Sequence, residues 1–140
     1  MSECLTFEYQ VPGDDFTRAG EASSSVKNKL KMMGVDSGAI RRVAIAMYEG
    51  EINMVIHAGG GAIKVMVTDD NIRIILADTG PGIPDVEKAM QLGYSTAPEE
   101  VRSLGFGAGM GLPNMKKYSD NMQIDTGVGV GTTVTMDIHL

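Results

Sequence analysis

Glycine falls in clusters along this chain, and the clusters limit where helices and strands can run. Of 140 residues eighteen are glycine, concentrated at 59–61, 80–82, 105–111 and 127–131. A glycine inside a helix or strand costs roughly 0.5–1 kcal/mol relative to alanine. Clusters therefore mark breaks, or places where backbone must come close to something. Between them the apolar pattern is readable. Leu5, Phe7, Tyr9 and Val11 alternate with polar residues and predict a half-buried strand over 5–11. Pro12, Gly13 and the Asp14–Asp15 pair mark a turn and a helix start. Phe16, Ala19, Ala22, Ser23, Val26, Leu30 and Met33 then recur at helical spacing, predicting a helix over 15–33 stopped by Gly34.

A second helix is expected from a cap at Asp36 or Ser37 to residue 58, ended by the glycine triplet. Strands over 62–68 and 71–77 follow, with Asp69–Asp70 as a tight hairpin turn. The segment DTGPGIPD is too rich in Gly and Pro for an element interior. A short helix over 85–92, a loop over 93–106, a helix from about 109 to 119 and two strands over 122–126 and 132–139 complete the pattern. Consecutive strand pairs among helices predict an α+β two-layer sandwich: a mixed, mostly antiparallel sheet with helices on one face.

The length fits a single domain over 1–140. A net charge of −6 argues against nucleic acid or an anionic membrane as partner. Cys4 is the only cysteine, which excludes an internal disulfide and a thiolate zinc site. The start MSECLTFEYQ has no basic-then-apolar leader, and no apolar run approaches the ~20 residues of a membrane span. The expected compartment is the cytoplasm.

Chemistry-bearing residues concentrate at four places. Glu49 and Asn53, four apart, project from nearly the same helix face within the mainly apolar run AIAMYEGEINMVIHA. A divalent cation is one partner that such a polar pair can take. Mg²⁺ accepts one or two protein oxygens and completes its octahedron with phosphates and water. Asn53 offers an amide oxygen, and Glu49 either orients a water or accepts a proton. Glu51 points away from this pair and is expected to have no role. Asp78 ends an apolar strand, and Gly80 and Gly82 follow before Ile83. These glycines let backbone approach a flat ligand. The Asp78 carboxylate only accepts hydrogen bonds, which suits the exocyclic amine of adenine and not the oxygen of guanine.

Third, Gly105, Gly107, Ala108, Gly109, Met110, Gly111 and Leu112 form a glycine-rich run ahead of a helix. Its free N–H groups and the helix start together make a phosphate cradle. No Gly-Lys-Ser/Thr ends the run, so it is not a P-loop. Fourth, the turn glycines before Thr132 and Thr133 put one of these hydroxyls within reach of a base, directly or through water.

In order and spacing these motifs resemble the GHKL (Bergerat-fold) ATPase superfamily. Within it the stretches AGGG, DTGPGIPD, AMQLGYST and GAGMGLPNMKKYSD resemble the small bacterial serine kinases of anti-sigma and switch-protein systems. The resemblance implies that ATP and Mg²⁺ are the cofactors, with a lid over 93–106. It implies that Asn53 holds the metal and Glu49 is the general base. Asp78 would bind adenine, and the glycines at 80, 82, 107, 109 and 111 would shape the pocket. It implies phosphorylation of Ser or Thr on a protein partner, an antagonist-type regulator or a sigma factor, by a chain that suits a homodimer. The alternative function is a nucleotide-gated module that sequesters a partner without chemistry. His57, inside the second helix, is read as a pocket wall and not as a phosphoacceptor, and His139 is read as bland. Where many sensor kinases carry a basic residue after the first motif, this chain has Gly59–Gly61. Phosphate charge would then fall to Mg²⁺, the glycine run, and Lys116 or Arg102.

Overall fold

A computed structural model describes residues 4–13, 20–57, 60–80 and 111–140. Its elements are β1 (Leu5–Pro12), α1 (Glu21–Met32), α2 (Ser37–His57), β2 (Gly60–Val67), β3 (Asn71–Ala77), α3 (Gly111–Tyr118), β4 (Asn121–Gly127) and β5 (Gly131–His139). The expected short helix over 85–92 and the loop over 93–106 lie outside the described residues. Among the described residues five strands form one sheet in the order β1-β2-β3-β5-β4, and their four pairings are antiparallel.

Register follows from the alternation. Cross-strand partners bring apolar residues into rows: Phe7, Val65, Ile74, Met136 and Met122 in one, Tyr9, Ile63, Leu76, Val134 and Ile124 in the next. A slip by one residue would turn each row to the other face. The opposite rows carry Glu8, Lys64, Arg73, Asp137 and Gln123, with ion pairs from Lys64 to Glu8 and from Arg73 to Asp137. The buried rows meet α2, which lies against β1, β2, β3 and β5 with α1 and α3 at its flanks. Val26, Leu30, Val43, Met47, Val55 and Met115 complete the core from the helices. Gly50 lets α2 seat on the sheet, since a Cβ there would stand 2.5 Å from Leu76 Cδ2 and 3.1 Å from Met115 Cε.

The helix ends mostly follow the expected chemistry. Asp36 caps α2, its carboxylate accepting from the Ala39 N–H at 3.1 Å. Past the end of α1, the Val35 N–H reaches the Leu30 carbonyl and the Gly34 N–H reaches that of Lys31. These two bonds form a Schellman stop. The start of α1 differs from expectation. It lies at Glu21, because Gly20 has φ 98° and cannot continue a right-handed helix. Phe16 and Ala19 fall outside the described residues. Likewise β2 begins at Gly60, two residues early, and the hairpin turn at Asp69–Asp70 closes with Thr68 N–H to Asn71 carbonyl at 2.9 Å.

At the sheet end that carries Asp120 and His139, Arg42 ties α2 down. It donates to Asp120 at 3.1 Å and to the His139 carbonyl at 2.9 Å. Asp120 also accepts the His139 backbone N–H at 2.7 Å, the main cause of its carboxyl lying below the ordinary range. His139 acts here through its backbone. Among the described residues no helix is long and apolar enough to cross a membrane.

Candidate functional site

The other end of the sheet carries the polar motifs. Asp78 follows directly on β3, and its backbone N–H donates to the Thr132 carbonyl at 2.9 Å. Its Oδ1 accepts from the Thr132 N–H at 3.1 Å and the Gly80 N–H at 3.0 Å. Asp78 is thus fixed at the mouth of the sheet, with Oδ2 left free of partners among the described residues. Gly131 makes this possible. At φ 130° it is in a conformation that L side chains rarely adopt, and a Cβ there would collide with the Asp78 carbonyl oxygen and stand 2.9 Å from Thr79 Cα.

The two threonines of the last motif separate by strand alternation. Thr132 is buried on the helix side, where its hydroxyl pairs with that of Thr126 at 2.8 Å. Thr133 pairs with Ala77 and Asp125, in a row belonging to the opposite face. Thr132 is therefore the one that accompanies Asp78.

α2 supplies the second side of the site. Glu49 is partly buried and lies at a groove of about 340 Å³ between α1 and α2, lined also by Gly20, Ser24, Lys27 and Tyr48. Burial pushes its carboxyl above the ordinary range, and a hydrogen bond from Asn114 Nδ2 at 3.4 Å acts in the opposite direction. One turn on, Asn53 directs Nδ2 to Met115 Sδ at 4.0 Å. Its Oδ1 has no partner among the described residues and is the atom that can hold a cation. Gly111 opens α3, and Leu112 packs into the core beside Met115. The His57 side chain, Gly82, Ile83, Gly105, Gly107, Ala108, Gly109 and Met110 lie outside the described residues.

Glu51 corrects an expectation. It does point away from Glu49 and Asn53, but it is 2% exposed and has a role. Oε2 accepts from the backbone N–H groups of Gly20 at 2.9 Å and Ala22 at 3.2 Å. Oε1 accepts from the Ser23 N–H at 3.1 Å and its hydroxyl at 2.7 Å. It caps α1 from across the fold, because Gly20 at the N-cap has no side chain to do so. Asn114 was also missed. Its signal was a polar side chain next to inward-facing Met115 on a helix of eight residues.

Comparison with known proteins identifies the setting. The profile of the histidine kinase-, DNA gyrase B-, and HSP90-like ATPase family matches residues 38–140. The chain belongs to this ATPase family. ATP is accordingly its nucleotide, and Glu49, Asn53, Asp78, Asn114 and Thr132 all lie within the matched region. A serine/threonine-protein kinase, RsbT of Bacillus subtilis, is 32% identical over 112 residues, covering 77% of this chain and 78% of that protein. An anti-sigma F factor of a Thermoanaerobacter species is 35% identical over 97% of this chain and 92% of its own length. In fold, the chain matches a Mycobacterium tuberculosis structure of RsbU and RsbW domains with a TM-score of 0.63 at 18% identity. That match covers 97% of this chain and 32% of the other. The mycobacterial sensor histidine kinase MprB matches with a TM-score of 0.55 at 14% identity, over 96% and 97% of the two chains.

Proposed function

We propose that this protein is an ATP-dependent serine/threonine kinase of the partner-switching type, transferring the γ-phosphate to a small regulatory protein. The observation that carries this reading is Glu49, a partly buried carboxylate at the rim of an open groove and one helical turn ahead of Asn53. In that position Glu49 accepts the proton of an acceptor hydroxyl. The freed oxygen attacks the γ-phosphorus, the bond to the β–γ bridging oxygen breaks, and ADP leaves. The groove between α1 and α2 gives the acceptor a path to that carboxylate. The relatedness to RsbT and to anti-sigma F factors supports a protein acceptor.

Mg²⁺ suits the donor set. No group of three or more His, Cys, Asp or Glu is gathered among the described residues. One amide oxygen from Asn53, with phosphate and water for the rest, is the kind of sphere Mg²⁺ takes. When bound, it would neutralise phosphate charge that no side chain of the Gly59–Gly61 stretch can meet. Asp78 orients the base through Oδ2, which has no partner among the described residues, and the phosphates are assigned to the glycine run.

Asp78→Asn tests the nucleotide half of the proposal. The amide keeps an Oδ1 acceptor for Gly80 and Thr132 but turns a donor toward the donor amine of adenine. ATP affinity in a calorimetric titration should fall about 10- to 100-fold, the range of one lost and one opposed polar contact. Melting should stay close to that of the unsubstituted chain. Unchanged affinity would remove the adenine assignment. For the chemical half, labelled ATP is incubated with candidate partner domains. ATP binding with no transfer to any of them would leave a nucleotide-gated binding module in place of a kinase.

A further inference from the structure

Two adjacent residues of α3 reach the two functional positions of α2. Asn114 donates to Glu49 at 3.4 Å, and Met115 receives the Asn53 amide at 4.0 Å. Asn114 is 65 positions from Glu49 in sequence, so the contact exists only because α3 docks on α2. Among the described residues it is the one hydrogen-bond partner of the Glu49 side chain. A glutamate has three rotatable bonds, and a base must sit within hydrogen-bond reach of the proton it takes. Among the described residues no other hydrogen bond chooses the rotamer of this carboxylate at the rim of the groove.

We infer that Asn114 is a positioning residue for phosphoryl transfer, holding the Glu49 carboxylate toward the acceptor hydroxyl. The inference rests on Glu49 being the base, as proposed above. As a positioning residue Asn114 acts through Glu49, so its loss should act on turnover and leave binding alone. Its place on α3, three residues after Gly111, makes the base depend on the helix that the glycine run leads into.

The test compares Asn114→Leu, of the same branching with no donor, with Asn114→Gln, which keeps one. In steady-state transfer from ATP to the partner protein, the Leu variant should lose roughly tenfold in kcat, a fraction of what a general base itself contributes. KM for the partner and Kd for ATP should stay within about twofold. The Gln variant should recover most of the rate. Should the Leu variant fail to fold, Asn114→Asp keeps the shape, faces Glu49 with an acceptor, and should show the same split. A second readout needs no turnover: the Asn114 side-chain amide resonance should shift on Glu49→Leu. An unmoved resonance, equal kcat for Leu and the unsubstituted chain, or a loss that Gln does not recover overturns the inference while leaving the kinase reading in place. Absence of transfer by the unsubstituted protein overturns both.

Discussion

Glu49→Gln should reduce transfer to the partner protein by roughly 10²- to 10⁴-fold, the usual contribution of a positioned general base. ATP affinity should be unchanged within about twofold, because Glu49 is assigned to the acceptor proton and not to the nucleotide. The substitution is nearly isosteric, and its amide oxygen can still accept from Asn114, so the site keeps its shape and loses only basicity. The same variant has a signature in stability. Burial raises the Glu49 carboxyl above its ordinary value in the folded chain, so between the ordinary and the raised value the folded state binds the proton more readily than the unfolded state. The stabilisation this gives is complete below the ordinary value and is lost as pH rises through the raised one. Gln does not titrate. Its melting point should therefore match the unsubstituted chain in acid and rise slightly above it at neutral pH, slightly because Glu49 remains in contact with solvent. Full transfer activity in the Gln variant would refute the base assignment, whatever the melting curves do.

What the sequence made legible was whatever depends on local periodicity. That Phe7, Val65, Ile74 and Met136 share the core face follows from alternation alone, since strand side chains have a period of two. The Asp36 cap and the Gly34 stop follow from the local chemistry of helix ends. Asp78 at a strand end before glycines was readable too, although its bonds to Thr132 were not, because they cross from β3 to β5. The choice between Thr132 and Thr133 is legible in β5 itself, where Thr132 alternates in phase with the buried Val134, Met136 and Ile138. Long-range partners left no local trace. Asn114 reads as one polar residue in GLPNMKK until α3 docks on α2. Apolar spacing continues upstream of Gly20 and so places the start of α1 too early, while the positive φ and the carboxylate that caps the helix come from tertiary structure. Glu51 faces away from Glu49 and Asn53, and that direction is what lets it cap α1.

Glu51→Ala should destabilise the fold strongly, although Glu51 lies outside the apolar core. Residues 49 and 51 stand about 200° apart around the helix, which separates a groove-side carboxylate from one packed under the start of α1. Removing the Glu51 carboxylate leaves the N–H groups of Gly20, Ala22 and Ser23 and the Ser23 hydroxyl without their acceptor in a buried place. An unsatisfied buried donor costs about 1–3 kcal/mol. These donors are neighbours and one water can serve more than one of them, so the combined loss should be roughly 3 kcal/mol rather than their sum. For a chain of this length that lowers the melting point by about 10 °C. The helix start also loses a negative group at its positive end, a smaller effect of about 0.3–1 kcal/mol. Glu51→Gln separates the two contributions. Its single oxygen still accepts from one side, but its NH₂ faces N–H donors, so it should fall between Ala and the unsubstituted chain. Denaturant unfolding of the three proteins measures the series. A loss below about 1 kcal/mol for Ala would mean that water replaces the carboxylate freely and that α1 is held by its apolar contacts alone. With the expected loss, α1 and the groove wall it forms beside Glu49 depend on a residue of the same helix as the base. In that case Glu51→Ala should also weaken partner binding at temperatures where the chain is still folded.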